Sequence, residues 1–273
     1  MIARALVFLG VGALLCASSA WAAPQEKQHP RYNQQTISTD RPGAAISSNT
    51  VGRIVVQLET SFGIHLDDET GVTKRSFTFP SLLRLGILRW LELRVEGELV
   101  ALANDGVKEA DEVGVTDLSF GIKLQALKNQ GVIPSMGILA QVLAPIGDDG
   151  FSAGGLEPTL KLAFDWSLPA RFSLTFNMGL DLPVRDALGH KFVRYLSVIN
   201  VGHALPFWSQ RITVFVETET RFPLRKGKKA QVSIDLGFSL RVFDNLQLDV
   251  QSLFGLTRSS EDIQLGFGIS WRI

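Results

Sequence analysis

One cysteine, four histidines and no internal apolar run long enough for a membrane-spanning helix set the first limits on this chain of 273 residues. The cysteine, Cys16, sits in an apolar stretch near the front. The body of the chain therefore has no thiol, which excludes a disulfide framework, a thiolate metal site and a cysteine nucleophile there. No run of 18 or more apolar residues occurs, so a spanning helix is excluded. Excess charge of one sign is also missing: 27 Lys and Arg stand against 27 Asp and Glu. Bulk charge thus does not mark a nucleic-acid binder. No phosphate-binding glycine loop, zinc spacing or nucleotide signature is present, and no cofactor is expected.

The front of the chain reads as an export signal. Met1-Ile-Ala-Arg4 is a short positive start, Ala5 to Leu15 is an apolar and glycine run, and Ala20-Trp21-Ala22 is a small-x-small cleavage site. Residues 1–22 are therefore expected to be removed, with the mature chain starting at Ala23. Cys16 is an ordinary apolar residue of the signal core, because Leu15 is too large for a lipoprotein site. Removing Arg4 with the leader takes one from the basic count and nothing from the acidic one.

Alternation is what the rest of the chain has in abundance. At the C-terminus, Ile263, Leu265, Phe267, Ile269, Trp271 and Ile273 fall on one face of an extended strand, and Gln264, Gly266, Gly268, Ser270 and Arg272 on the other. Leu91, Leu93, Val95, Leu99 and Ala101 likewise oppose Glu92, Arg94, Glu96 and Glu98. Similar strands are predicted over 53–65, 75–87, 117–126, 134–143, 159–166, 172–180, 192–202, 211–221, 231–241 and 246–253. The phase of 192–202 is ambiguous, and Pro80 weakens its strand locally. The fold class is all-β: a transmembrane antiparallel β-barrel of about twelve strands in an up-and-down meander, apolar outside and polar within.

The connections alternate too. Those at Leu88–Trp90, Lys128–Gly131, Leu168–Ala170, Pro206–Gln210 and Phe243–Asn245 are short. Those at Leu66–Lys74, Leu102–Gly114, Pro145–Pro158, Asp181–His190 and Phe222–Ala230 are longer and polar, and only Leu256–Glu261 departs from the pattern. Short turns on one rim and longer loops on the other suit an outer-membrane barrel better than a soluble sandwich. Residues 51–273 are assigned to the barrel. Residues 23–50 are polar, contain Pro24, Pro30 and Pro42, and lack alternation; they form a periplasmic tail or a plug.

On this register Glu59, Arg84, Glu92, Arg94, Glu96, Glu98, Lys123, Lys161, Asp165, Glu217, Glu219 and Asp235 project inward and line the lumen. Such charges either set solute preference in an open passage or neutralise one another in a filled one. Asp40 and Arg41 are candidate plug contacts: either a turn stiffened by Pro42, or an ion pair with lumen charges such as Glu92, Glu96 and Glu98. The acidic loop residues Asp67, Asp68, Glu69, Asp105, Glu109, Asp111, Glu112, Asp148 and Asp149 do not have the spacing of a calcium loop. The basic cluster Arg225-Lys226-Gly227-Lys228-Lys229 is placed to meet lipopolysaccharide phosphates.

Thr39-Asp-Arg-Pro-Gly43, Phe79-Pro-Ser-Leu-Leu-Arg84, Leu91-Glu-Leu-Arg94 and Leu143-Ala-Pro-Ile-Gly-Asp148 together resemble the outer-membrane family of the MetA pathway of phenol degradation. The Thr-Asp-Arg-Pro tetrapeptide carries most of that resemblance. It implies an outer-membrane barrel of a Gram-negative bacterium that takes up small solutes, hydrophobic or aromatic ones among them, and it brings no catalytic residues. The implied partners are the bilayer, lipopolysaccharide, a small solute, and the outer-membrane assembly machinery through the C-terminal strand. A structural barrel with a filled lumen is the alternative. A lipid-modifying hydrolase would need a serine and a histidine together; His29, His65, His190 and His203 are the histidines available, with Ser152 or Ser259 the nearest serines to consider.

Overall fold

Alternating strands leave only one way to satisfy every backbone group in a bilayer, which is to close the sheet on itself. The computed structural model describes residues 36–69, 72–104, 112–185, 189–207 and 210–273. Residues 1–22 with Cys16, as well as His29, Asp105, Glu109 and Asp111, lie outside the described residues. The strands are β1 (Val55–Glu69), β2 (Val72–Leu88), β3 (Leu91–Asn104), β4 (Glu112–Gly114), β5 (Leu118–Leu127), β6 (Ser135–Ala144) and β7 (Glu157–Ser167). They continue as β8 (Phe172–Arg185), β9 (Lys191–Ala204), β10 (Ile212–Pro223), β11 (Gln231–Phe243), β12 (Leu246–Gly255) and β13 (Ile263–Arg272). The three-residue β4 only extends the loop side of β3; the other twelve are long. Each long strand pairs on both sides, and β1 with β13 closes the ring from Gln57↔Arg272 to Leu66↔Ile263. All pairings are antiparallel and, apart from this closure and with β4 set aside, between sequence neighbours.

Burial is inverted relative to a water-soluble protein. Along β1, Leu58 is 41% exposed while its neighbour Glu59 is 0% exposed. The same alternation sets exposed Phe120 and Ile122 against buried Ser119 and Lys123, and exposed Val216 against buried Glu217. The only clustered buried apolar residues among those described are Ile46, Leu139 and Ala163. An apolar surface around a charged interior is stable when the outside solvent is lipid.

Several sequence expectations shift. Arg53 and Ile54 precede β1 in a turn, with Ile54 at φ 55° and 78% exposed, so they belong to neither strand face. Within the stretch expected as the loop Leu66–Lys74, β1 and β2 continue pairing up to Glu69↔Val72. Much of Leu102–Gly114 and Asp181–His190 is likewise strand. A tilted strand crosses the bilayer in about 9–11 residues, so strands of 14, 15 and 17 residues project beyond it as paired hairpins. Their polar composition reflects the water they stand in, which is why it reads as loop in sequence. The phase of β9 resolves with Val198 buried and Ile199 and Val201 exposed.

Candidate functional site

Residues 36–54 cannot form a strand, since they lack alternation and carry Pro42, Gly43 and Gly52. A buried irregular segment still has backbone N–H groups that need acceptors. Here the barrel wall supplies them from inward side chains. Asp40 N donates to Glu59 at 2.9 Å, Gly43 N to Gln251 at 2.5 Å, and Ala44 N and Ala45 N to Glu217 at 2.7 and 3.2 Å. Ile46 is clamped by Asn177, whose Oδ1 accepts from Ile46 N and whose Nδ2 donates to Ile46 O. Ser48 N donates to Asp165 at 2.6 Å, and Val51 N to Glu92 at 2.9 Å. The segment is tied at one rim only: Ile37 N donates to Asp244 O and Thr50 Oγ1 to Arg89 O, both in tight turns.

Asp40 is the hub. Its carboxylate accepts from Arg94, from Lys123 Nζ at 3.0 and 3.1 Å and from Ser47 N at 2.9 Å, with Arg84 at 3.7 Å. Burial alone would push this carboxyl up; Arg84, Lys123 and Arg94 outweigh it and hold it well below the usual carboxylate range. Arg84 in turn grips Glu92 with Nε and Nη2, at 2.8 and 2.9 Å, and Glu59 with Nη1 at 2.8 Å. The same guanidinium donates to Ser38 O and Asn49 O, so it pins both ends of the segment's turn.

The sequence-derived lumen residues divide four ways. Glu59, Arg84, Glu92, Arg94, Lys123, Asp165 and Glu217 contact the segment or each other around it. Asp235 is buried across from Glu217. Glu96, Lys161 and Glu219 line a cavity of about 220 Å³ bounded by Asp40, Arg41, Gly43, Ala44 and Ile46 of the segment. Glu98 stands apart, its backbone held by Thr116.

Two readings of Asp40 and Arg41 need correction. Asp40 closes no local turn, because its oxygens are taken by three cations and by Ser47. Arg41 does not pair with Glu92, Glu96 or Glu98; its guanidinium faces Asp249 of β12 at 3.7 Å. Glu92 is already occupied by Arg84, and Arg41 turns instead toward β12, two strands from β1 in the ring. The serine–histidine arrangement is not assembled around His65, which bonds Glu261 at 2.8 Å and Thr78 at 3.1 Å. His203 packs on Phe172 at 4.3 Å between centroids.

Sequence reasoning singled out charges and passed over Gln57, Asn177, Gln247, Gln251 and Asp249, which also bind the segment. Their positions on the polar face were the available signal. It also missed two inward glycines. A Cβ on Gly137 would meet Ser48 Cα and O, each at 2.8 Å, and one on Gly86 would overlap Gly52 O. At Gly137 the segment lies directly on the wall. Gly137→Val therefore should displace it without changing any charge, at an overpacking cost of about 1–3 kcal/mol. In a chain starting at Ala23 and carrying Ile46→Cys, maleimide labelling should quicken by about tenfold or more in this variant. Equal labelling rates in both backgrounds would sink the packing argument.

The fold and its occupied lumen define a class: an outer-membrane β-barrel with a segment of its own chain inside. The chain belongs to the family described as "Putative MetA-pathway of phenol degradation", whose profile matches residues 39–273. No curated protein matches the chain. Among solved structures, it resembles an outer membrane channel from Pseudomonas putida F1 at 12% identity and TM-score 0.65, over 85% of this chain and 99% of that one. It also resembles the NanC porin at 8% identity and TM-score 0.58, over 79% and 100%. A third relative in fold is the KdgM porin, solved with disordered oligogalacturonate, at 12% identity and TM-score 0.50, over 78% and 98%. At these identities the likeness is one of fold.

Proposed function

We propose that the protein is a gated outer-membrane channel for small solutes in which residues 36–54 are the plug. The observation that carries this is the way backbone N–H groups of the segment are received by side chains of β1, β3, β7, β8, β10 and β12. A segment held by side chains and tied at a single rim is able to leave as a unit while the ladder of the barrel stays intact. A permanently filled structural barrel is the competing reading. The cavity of about 220 Å³ beside the segment favours the channel, because a filled barrel has no use for it. Small solutes are the substrate; the family's name points to aromatic compounds as the first to try.

The wider assignment follows the same reading. Residues 1–22 are a cleaved export signal of a Gram-negative bacterium. The rim with the tight turns at Arg89 and Asp244 faces the periplasm, and the C-terminal strand is what the assembly machinery engages. The basic run Arg225 to Lys229 meets lipopolysaccharide phosphates at the outer rim. The barrel carries no catalytic role.

The test is single-channel conductance of the refolded mature protein in a planar bilayer, beside a form lacking residues 23–49. The expected result is small or rare steps from the intact protein and large, frequent ones from the deletion. Silence from both, with the deletion still migrating as a folded barrel on a gel, would replace the channel by a filled structural barrel.

A further inference from the structure

Arg84 of β2 stands directly opposite Arg94 of β3 in the ladder, and Lys123 of β5 stands opposite Glu92 of β3. Like charges set opposite each other repel unless a counter-charge lies between them. The wall brings two carboxylates into ion-pair contact with this group, Glu59 and Glu92. Three cations against two carboxylates leave one positive charge over. Glu96 acts on Arg94 as well, but it is exposed, and water screens it there. The balance is made up from outside the wall, by Asp40 of the plug. With the plug docked the three cations are at most 3% exposed, so their partner has to be a charged group and not water.

What converges on Asp40 is a donor set suited to any carboxylate: the guanidinium of Arg94, the ammonium of Lys123 at 3.0 and 3.1 Å, and the guanidinium of Arg84 at 3.7 Å. When the plug leaves, Asp40 leaves with it. The three donors stay, because each is on a strand of the barrel. We infer that Arg84, Arg94 and Lys123 form a binding site for a small monocarboxylate solute, and that Asp40 occupies it as a tethered stand-in while the channel is closed. A free carboxylate that takes this place releases the plug, so the solute opens its own path. One negative charge is what the vacated site lacks; a neutral solute leaves the excess unmatched and a cationic one adds to it. The cavity beside the plug is lined by both Asp40 and Arg94, which puts an entering solute next to the contact it must replace. The inference rests on the channel reading and names the solute class and the trigger of that channel.

The probes are benzoate and benzamide, which are close in shape and differ by one charge. Asp40→Asn, in the chain starting at Ala23, keeps the plug and removes its charge from the site. In calorimetric titration benzoate should bind this variant about tenfold or more tighter than it binds the parent, the yield of a charge-assisted contact no longer contested. Benzamide should show no such preference. Lys123→Met added to Asp40→Asn restores the charge balance and should cancel the gain. In the parent, a tethered carboxylate competes at an effective concentration of roughly millimolar or more, so benzoate is needed at tens of millimolar. At that level and fixed ionic strength it should raise the frequency of conductance steps severalfold, and benzamide should not. The inference is overturned if benzoate binds Asp40→Asn no tighter than the parent, if benzamide matches it, if the double variant keeps the gain, or if benzoate leaves the parent's openings unchanged. None of these outcomes touches the conductance of the form lacking residues 23–49, so failure here and failure of the channel reading are separable.

Discussion

Replacing Asp40 by Asn should open the barrel without unfolding it. The substitution keeps the shape of the side chain and removes one negative charge from among Arg84, Arg94 and Lys123, all at most 3% exposed. Leaving buried charges without their partner costs roughly 3–5 kcal/mol. That is a factor of about a hundred or more in the ratio of docked to undocked segment. The barrel ladder is untouched, since Asp40 takes no part in any strand pairing. Conductance should therefore approach that of the form lacking residues 23–49, while the folded barrel on a gel keeps its mobility. Conductance unchanged from the parent would remove Asp40 from its place as the latch.

The pH dependence of the parent protein follows with its sign. The carboxyl of Asp40 is depressed in the docked state, so its contribution to docking is present above its ordinary value of about 3.9. That contribution fades only as pH falls further, toward the depressed value. Between neutral pH and about pH 5 the contacts of Asp40 should therefore stay in place. Asp40→Asn should lack that contribution throughout the window.

Replacing Arg84 by Met should act on the barrel and the plug together. Arg84 is 0% exposed and joins Glu92 of β3 to Glu59 of β1. Without it, two carboxylates that are themselves 0% exposed lose their counter-charge within the wall. The cost is again of the order of 3–5 kcal/mol, now charged to the folded barrel and not only to docking. The gel transition from folded to unfolded mobility should come at a clearly lower temperature than in the parent. Arg84→Lys should fall between, because an ammonium keeps the charge and loses the two-pronged grip on Glu92. The triple change Arg84→Met, Glu59→Gln, Glu92→Gln should recover much of the loss, since it strands no charge. A triple variant no more stable than Arg84→Met would mean that packing, not charge, sets the effect.

How much of this was legible beforehand depends on distance along the chain. Alternation at Leu91–Ala101 and Ile263–Ile273 fixes which residues face out, because a strand puts successive side chains on opposite sides whatever it pairs with. Twelve such strands, with lipid outside, leave closure as the only way to satisfy their edges, so barrel and inward charges were both readable. Strand ends were not: polar hairpins such as β1 to β2 above Leu66 have loop-like composition because they stand in water. The partners of Asp40 were not readable either. Arg84, Arg94 and Lys123 lie 44, 54 and 83 residues away, and only the register of β2, β3 and β5 brings them to one point. Arg41, one residue on, faces Asp249 of β12, on the other side of β1 from Arg84 and Arg94, a direction that sequence distance does not encode. By itself the sequence determined a barrel with a charged interior and a polar segment before it. Only the closed sheet decided that the segment lies inside, because its backbone donors meet acceptors there from six strands at once.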